Sequence, residues 1–379
     1  MKVPFSEPIL VTRPLLPDID LVNRRMKEIW ASQWLTNGGA QHEELENQLK
    51  IYLQVQNLVL FNNGTLALML GLKALELSGE VITTPFTFPA TVQALDWNRL
   101  TPVFCDVNPQ TLNIDPDKIE ALITDKTTAI LAVHVFGTPC DVSKIEKIAQ
   151  KFKLKVIYDG AHAFGTKVNN LPISAYGDMT MFSFHATKLF NTVEGGALAV
   201  QEPALAANLN LLKNFGLHGS GEVVFSGTNA KMNEVQACIG LEVLKITGEE
   251  RLKRKKIKET YIKNLSNIPG IEIVNNDLSE DNSFQYFVIM IAENVFGKSR
   301  DWVHEELKKY NVFARKYFYP LCSNFEWYRE LSSASPANLP VANKIITQTL
   351  ALPFYGNLGE ESAAAICNIL RDIQQNFNS

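Results

Sequence analysis

The sequence predicts an α/β protein, with a large domain over residues 1–242, built on a mainly parallel central sheet sandwiched by helices, and a smaller C-terminal α/β domain over 243–379. Three observations carry this. Short apolar runs alternate with helical patterns from residue 58 to residue 200. The first run, 58–61, passes through Asn62, Asn63, Gly64 and Thr65 directly into an apolar helix. From about Val243 the pattern changes to a charged helix followed by a strand-like apolar run over 284–290.

Taken in order, the first 18 residues carry four prolines and read as an extended arm that packs over another part of the molecule. Leu21, Met26 and Ile29 give 20–30 a helical spacing, and Trp34 to Gly39 a turn-forming stretch. Residues 41–53 predict a second amphipathic helix. Strand 58–61, helix 66–75, strand 81–84, helix 90–97 and strand 102–105 follow. Asp115 before Pro116 is an N-cap with proline at the first helical position, opening a helix to 123. Strand 129–135, a helix from the Asp141 cap to 152, and strands 156–158, 180–182 and 197–200 complete the alternation. Such a pattern implies right-handed crossovers, and ligands of such sheets lie at the carboxyl ends of the strands.

The loops at those ends hold the candidate residues. Gly64 and Thr65 open a helix, where free N–H groups and the positive end of the helix dipole favour a phosphate; Asn-Gly-Thr also makes an ordinary turn and cap. Phe88 can stack on a planar heteroaromatic ring or simply belong to the core. Asp159, at a strand end before Gly160, Ala161 and His162, needs a partner, which a protonated pyridine nitrogen or the loop amides would supply. Lys188 leaves a strand through the short loop Ser183-Phe184-His185-Ala186-Thr187, with Gly195 and Gly196 ahead of the next strand. That placement suits an amine that forms a Schiff base with a bound cofactor, because partial burial lowers a lysine pKa towards working pH.

Composition excludes several classes. At 46% hydrophobic and 20% charged residues the chain is an ordinary globular protein, and a net charge of −4 gives no basis for nucleic-acid or anionic-membrane binding. The basic run 251–258 reads as the solvated face of a helix. Five scattered cysteines without a CxxC pair point to a reducing, cytoplasmic compartment. No stretch approaches a membrane span, and the six histidines include no metal-ligand spacing, so no metal is expected.

The ordered set of Asn63-Gly64-Thr65, Phe88, Asp159-Gly160-Ala161-His162 and Ser183 to Lys188 resembles the DegT/DnrJ/EryC1/StrS sugar aminotransferases over essentially the whole chain. The resemblance implies fold type I and pyridoxal 5'-phosphate as cofactor. It implies that Lys188 bonds the cofactor and shuttles the proton, Asp159 holds the pyridine nitrogen protonated, Phe88 stacks on the ring, and His162 lies near the phenolic oxygen. Gly64 and Thr65 amides and the Ser183 hydroxyl would bind the phosphate. Asn229, in Gly227-Thr228-Asn229-Ala230-Lys231-Met232, would reach the phosphate of a neighbouring subunit, so a homodimer with shared active sites is implied. Lys231 stands where the family commonly has arginine, and Gly160 where it more often has alanine or cysteine. His185, Arg315 and Tyr319 would contact the sugar nucleotide. The form His185-Ala186-Thr187-Lys188 with Glu194-Gly195-Gly196 is similar to the branch that moves an amino group from L-glutamate to C4 of a nucleotide-linked 4-keto-6-deoxy sugar, in deoxyaminosugar pathways such as O-antigen assembly.

Overall fold

Among the described residues the chain begins with β1 (Ile9–Leu10), α1 (Ile19–Ser32), α2 (Ala40–Leu53), β2 (Asn57–Phe61) and α3 (Gly64–Ala74). Next come β3 (Glu80–Thr83), α4 (Pro89–Trp97), β4 (Thr101–Phe104), α5 (Pro116–Ile119), β5 (Thr127–Val133), α6 (Val142–Phe152) and β6 (Lys155–Asp159). A hairpin of β7 (Lys167–Val168) and β8 (Leu171–Pro172) precedes β9 (Met179–Ser183), β10 (Gly196–Val200) and α7 (Pro203–Leu212). The computed structural model describes residues 5–219 and 221–375; the first four residues of the predicted arm and the last four of the predicted C-terminal domain lie outside the described residues.

Seven strands form one sheet in the order β2, β10, β9, β6, β5, β3, β4. Only β10 runs against the rest, antiparallel to both β2 and β9. Helices cover both faces, which is why the strands are apolar without interruption. The period of two sorts their side chains. Val59, Phe61, Val81, Leu131 and Met181 pack on α3 and α4, whereas Leu58, Leu60, Phe182 and Ala197 pack on α2. Ile82, Ile130, Ala132 and Val156 pack on α6. The predicted helix from Pro116 to 123 is α-helical only through Ile119 and ends as a 3-10 turn over Glu120–Leu122.

A hairpin of β11 (Leu217–His218) and β12 (Glu222–Val223) leads to α8 (Glu234–Leu265), a helix of 32 residues. Its start is a capping box: the Asn233 side chain accepts from Gln236 N–H at 2.9 Å, and the Gln236 side chain accepts from Asn233 N–H at 3.1 Å. The helix runs unbroken through Val243. Its first turns pack Ala237 and Leu241 on the large-sheet core, and its last turns pack Ile257, Tyr261 and Leu265 on a second core. That second core lies against the antiparallel strands β13 (Ile271–Ile273), β14 (Phe287–Ile291) and β16 (Thr349–Leu352), with β15 (Val312–Phe313) nearby. The arm closes the circuit: β1 pairs in parallel with β15, and the Leu15 carbonyl accepts from the Asn191 side chain at 3.0 Å, beside the loop of Lys188. Among the described residues no helix is long and apolar enough to cross a membrane.

Candidate active site

Loops following β2, β3, β6 and β9 open at the carboxyl ends of the strands onto one cavity of about 660 Å³. Tyr286, Arg315, Tyr317 and Phe318 from the C-terminal part form its other wall.

At one end, Asn63 caps α3 by accepting from Leu66 N–H at 2.8 Å, which leaves the Gly64 and Thr65 amides without a partner among the described residues. Gly196 of β10 makes this turn possible: a side-chain carbon there would lie 2.6 Å from Gly64 N. Ser183, at the end of β9, lies on the same cavity.

At the floor, Asp159 is 5% exposed and both of its carboxylate oxygens are engaged. Thr91 Oγ1 donates to Oδ2 at 2.7 Å and Ala161 N–H donates to Oδ1 at 3.0 Å. The Thr87 hydroxyl, 2.8 Å from that of Thr91, extends the chain. Burial raises the Asp159 pKa above the ordinary aspartate value, opposed by the Thr91 and Ala161 bonds and by Lys188. His162 is buried, stacked on Phe318 at 5.7 Å and met edge-on by Tyr286 at 5.0 Å, and its Nδ1 has no hydrogen-bond partner among the described residues. Burial and the nearby Lys188 hold it neutral, well below the ordinary histidine value.

Lys188 is only partly exposed, and its Nζ lies 5.9 Å from the centre of the Tyr286 ring. Burial pushes its ammonium down to about 8, with Asp159 opposing the shift. Above that pH the amine is neutral and nucleophilic; below it the amine is protonated. In the cofactor-free protein, labelling of Lys188 by an amine-reactive reagent, read by peptide mass spectrometry, therefore rises through a midpoint near pH 8; a midpoint at 10.5, the ordinary lysine value, would contradict the enclosure described above. Since the unfolded chain keeps this proton to higher pH than the folded one, the group favours folding increasingly as pH rises from about 8 to 10.5.

Gly64, Thr65, Phe88, Asp159, His162, Ser183, His185, Lys188 and Arg315 all line the cavity. Phe88 is 58% exposed and lines the cavity rather than belonging to the core. His185 and Glu194 meet at the mouth, Nε2 to Oε1 at 3.6 Å. Two predicted residues do not line it. Asn229 is exposed and bridges in backbone pairing to Asn214. Tyr319 is turned away because Tyr319 N–H bonds back to the Lys316 carbonyl at 2.9 Å; its ring packs under Arg300 and Lys316. Tyr317, whose hydroxyl accepts from Arg315 Nη1 at 3.0 Å, occupies the wall instead. Thr91 and Tyr286 were not singled out in the sequence. Thr87 precedes α4 and Thr91 lies one helical turn further on, inside it, a spacing visible in the sequence; Tyr286 lies within a run that reads as core.

The donor set fits pyridoxal phosphate. The uncommitted Gly64 and Thr65 amides match a phosphate, the buried Asp159 carboxylate matches a ring N–H, and the orphaned His162 Nδ1 lies where a phenolic oxygen would need a partner. A mainly parallel sheet that brings a partly buried lysine and a buried carboxylate to one cavity, beside free amides at a helix start, defines the class of pyridoxal phosphate enzymes. The chain belongs to the DegT/DnrJ/EryC1/StrS aminotransferase family, whose sequence profile matches residues 19–371. It is 44% identical over 365 residues to the dTDP-4-amino-4,6-dideoxy-D-glucose transaminase of Escherichia coli, covering 96% of this chain and 98% of the relative. Among solved structures it is similar to DesI in the presence of its TDP-sugar product, with 36% identity, a TM-score of 0.94, and 100% of this chain and 96% of that chain covered. It is also similar to ntda from Bacillus subtilis with bound cofactor PMP, with 29% identity, a TM-score of 0.86, and coverage of 94% and 82%.

Proposed function

We propose that the protein transfers an amino group from L-glutamate to the C4 ketone of dTDP-4-keto-6-deoxy-D-glucose, giving dTDP-4-amino-4,6-dideoxy-D-glucose. The observation that carries the reaction is the convergence of Lys188 and Asp159 on one cavity beside the free amides of Gly64 and Thr65. The choice of acceptor is supported by the Escherichia coli relative.

Pyridoxal phosphate, when bound, supplies an electron sink for the carbon that bears nitrogen. Gly64, Thr65 and Ser183 would hold its phosphate. Asp159, fixed by Thr91 and Ala161, would keep a proton on the ring nitrogen, and its burial strengthens that pairing. Phe88 would cover one ring face. Lys188 Nζ would take the proton from the carbon bearing nitrogen and return it to the cofactor side in one half-reaction, then reverse the direction in the other. Arg315 would meet the anionic groups of donor or acceptor, and His185, held by Thr187 and Glu194, would read the sugar.

The unit that acts is a homodimer in this reading. It is supported by the exposure of Asn229 away from its own cavity and by the exposed Trp30, Trp34, Leu35 and Phe215. The division into domains at about 242 would place the hinge inside α8. A cytoplasmic enzyme, as the scattered cysteines suggest, serving O-antigen assembly, as the family resemblance implies, extends the same reading.

The deciding experiment supplies the pyridoxal phosphate-loaded enzyme with L-glutamate and dTDP-4-keto-6-deoxy-D-glucose, follows 2-oxoglutarate, and locates the new amine by NMR. An amine at C4 is expected. Release of 2-oxoglutarate without a sugar product would discard this acceptor and direct the assay to 3-keto sugars and to UDP and GDP sugars.

A further inference from the structure

The residues just ahead of β14 belong to the C-terminal part of the chain, yet they are tied to two loops of the site. Ser283 Oγ donates to the His162 carbonyl at 2.7 Å. Gln285, 2% exposed, reaches the lysine loop with both ends of its amide. Its Oε1 accepts from Leu189 N–H at 2.7 Å, and its Nε2 donates to the Thr187 carbonyl at 3.1 Å. These are the peptide groups immediately before and after Lys188. A single primary amide thus acts on the loop as a neighbouring strand would, in the stretch between β9 and β10 that pairs with no strand among the described residues. Glutamine supplies the acceptor and the donor in one plane.

Gln285 is itself braced. Arg254 of α8 donates to the Phe284 carbonyl at 3.3 Å, and the Asn282 side chain accepts from Phe284 N–H at 2.7 Å. Arg254 is paired with Glu250, which in turn accepts from Gly356 N–H at 2.8 Å. The ring of Tyr286, the next residue, lies beneath the Lys188 amine. The geometry points to Gln285 as a positioning residue for Lys188: it fixes the peptide groups on either side of the lysine and so sets the line along which Nζ approaches the reacting carbon. The inference rests on Lys188 being the cofactor lysine.

Gln285→Met fills nearly the same space and makes neither bond. In the full-length, pyridoxal phosphate-loaded enzyme its kcat falls by about tenfold to a hundredfold, the scale of a misplacement near 1 Å, while the KM for dTDP-4-keto-6-deoxy-D-glucose stays within about threefold. Hydrogen exchange at the Leu189 amide, measured without substrate, accelerates by about tenfold or more, and exchange in peptides remote from the loop is unchanged. Gln285→Glu keeps an acceptor for Leu189 N–H, so its exchange stays slow there and its kcat loss is smaller. Wild-type kcat and wild-type Leu189 exchange in Gln285→Met would overturn the inference. Should Gln285→Met fail to fold, Gln285→Glu with undiminished kcat overturns it equally. Lys188→Ala separates the two levels. Retained turnover in that variant overturns the reading of Lys188, whereas its inactivity beside an unimpaired Gln285→Met overturns the positioning role alone.

Discussion

Lys188→Ala takes up pyridoxal phosphate and loses turnover by about 10⁴-fold, the upper range for removing a positioned proton-transfer group. Uptake survives because the other contacts do not pass through the lysine. The Gly64 and Thr65 amides are created by the α3 N-terminus, and Asp159 is held by Thr91 and Ala161. Turnover does not survive, because in the proposed roles no other group takes over the proton transfer: His162, at 5.0 Å from Tyr286 and stacked on Phe318, is held between rings, and burial makes it a weaker base than an ordinary imidazole. The substitution also removes a buried ammonium that disfavours folding at neutral pH, so the cofactor-free variant melts no lower than the parent at pH 7. Near-wild-type turnover would remove the proposed role of Lys188.

Asp159→Asn is expected to lower kcat by about a hundredfold or more, the scale seen when a preorganised charge-stabilising group is lost. The change is nearly isosteric. The new amide oxygen still accepts from Ala161 N–H, and its NH₂ faces the Thr91 hydroxyl, so folding is retained. What disappears is the negative charge that would keep a proton on the ring nitrogen. The visible spectrum of the loaded variant and its rate of 2-oxoglutarate formation from glutamate test this together. A variant with the wild-type rate of that half-reaction would show that Asp159 only supports the loop.

The strands and helices of the large domain were legible because each is a local pattern. Val59 and Phe61 against Leu58 and Leu60 declare a strand buried on both faces, and Asn63, Asp115 and Asp141 declare helix starts by the hydrogen bonds their side chains make. The continuity of α8 was not legible. Its capping box lies at Asn233, but the shift from apolar to charged residues near Val243 reads as the start of a new helix, whereas one helix begun at Glu234 passes there from the first core to the second.

The site divides in the same way. Gly64, Asp159 and Lys188 could be read from the sequence because each follows a strand, and a parallel sheet brings the carboxyl ends of its strands to one edge whatever the details of packing. Arg315, Tyr317 and Tyr319 alternate as though on one face of a strand; the turn closed by Tyr319 N–H and the Lys316 carbonyl sends Tyr317 inward and Tyr319 out. The sequence by itself determined the mainly parallel sheet and the order of the loops that carry the candidate residues, Lys188 among them. The tertiary structure decided how that lysine is held: Gln285 and Tyr286 lie nearly a hundred positions further along the chain, and only the packing of α8 and β14 against the large domain brings them to Lys188. Periodicity records which face of an element is buried, but not which distant segment buries it, and the pKa of an enclosed amine depends on that segment.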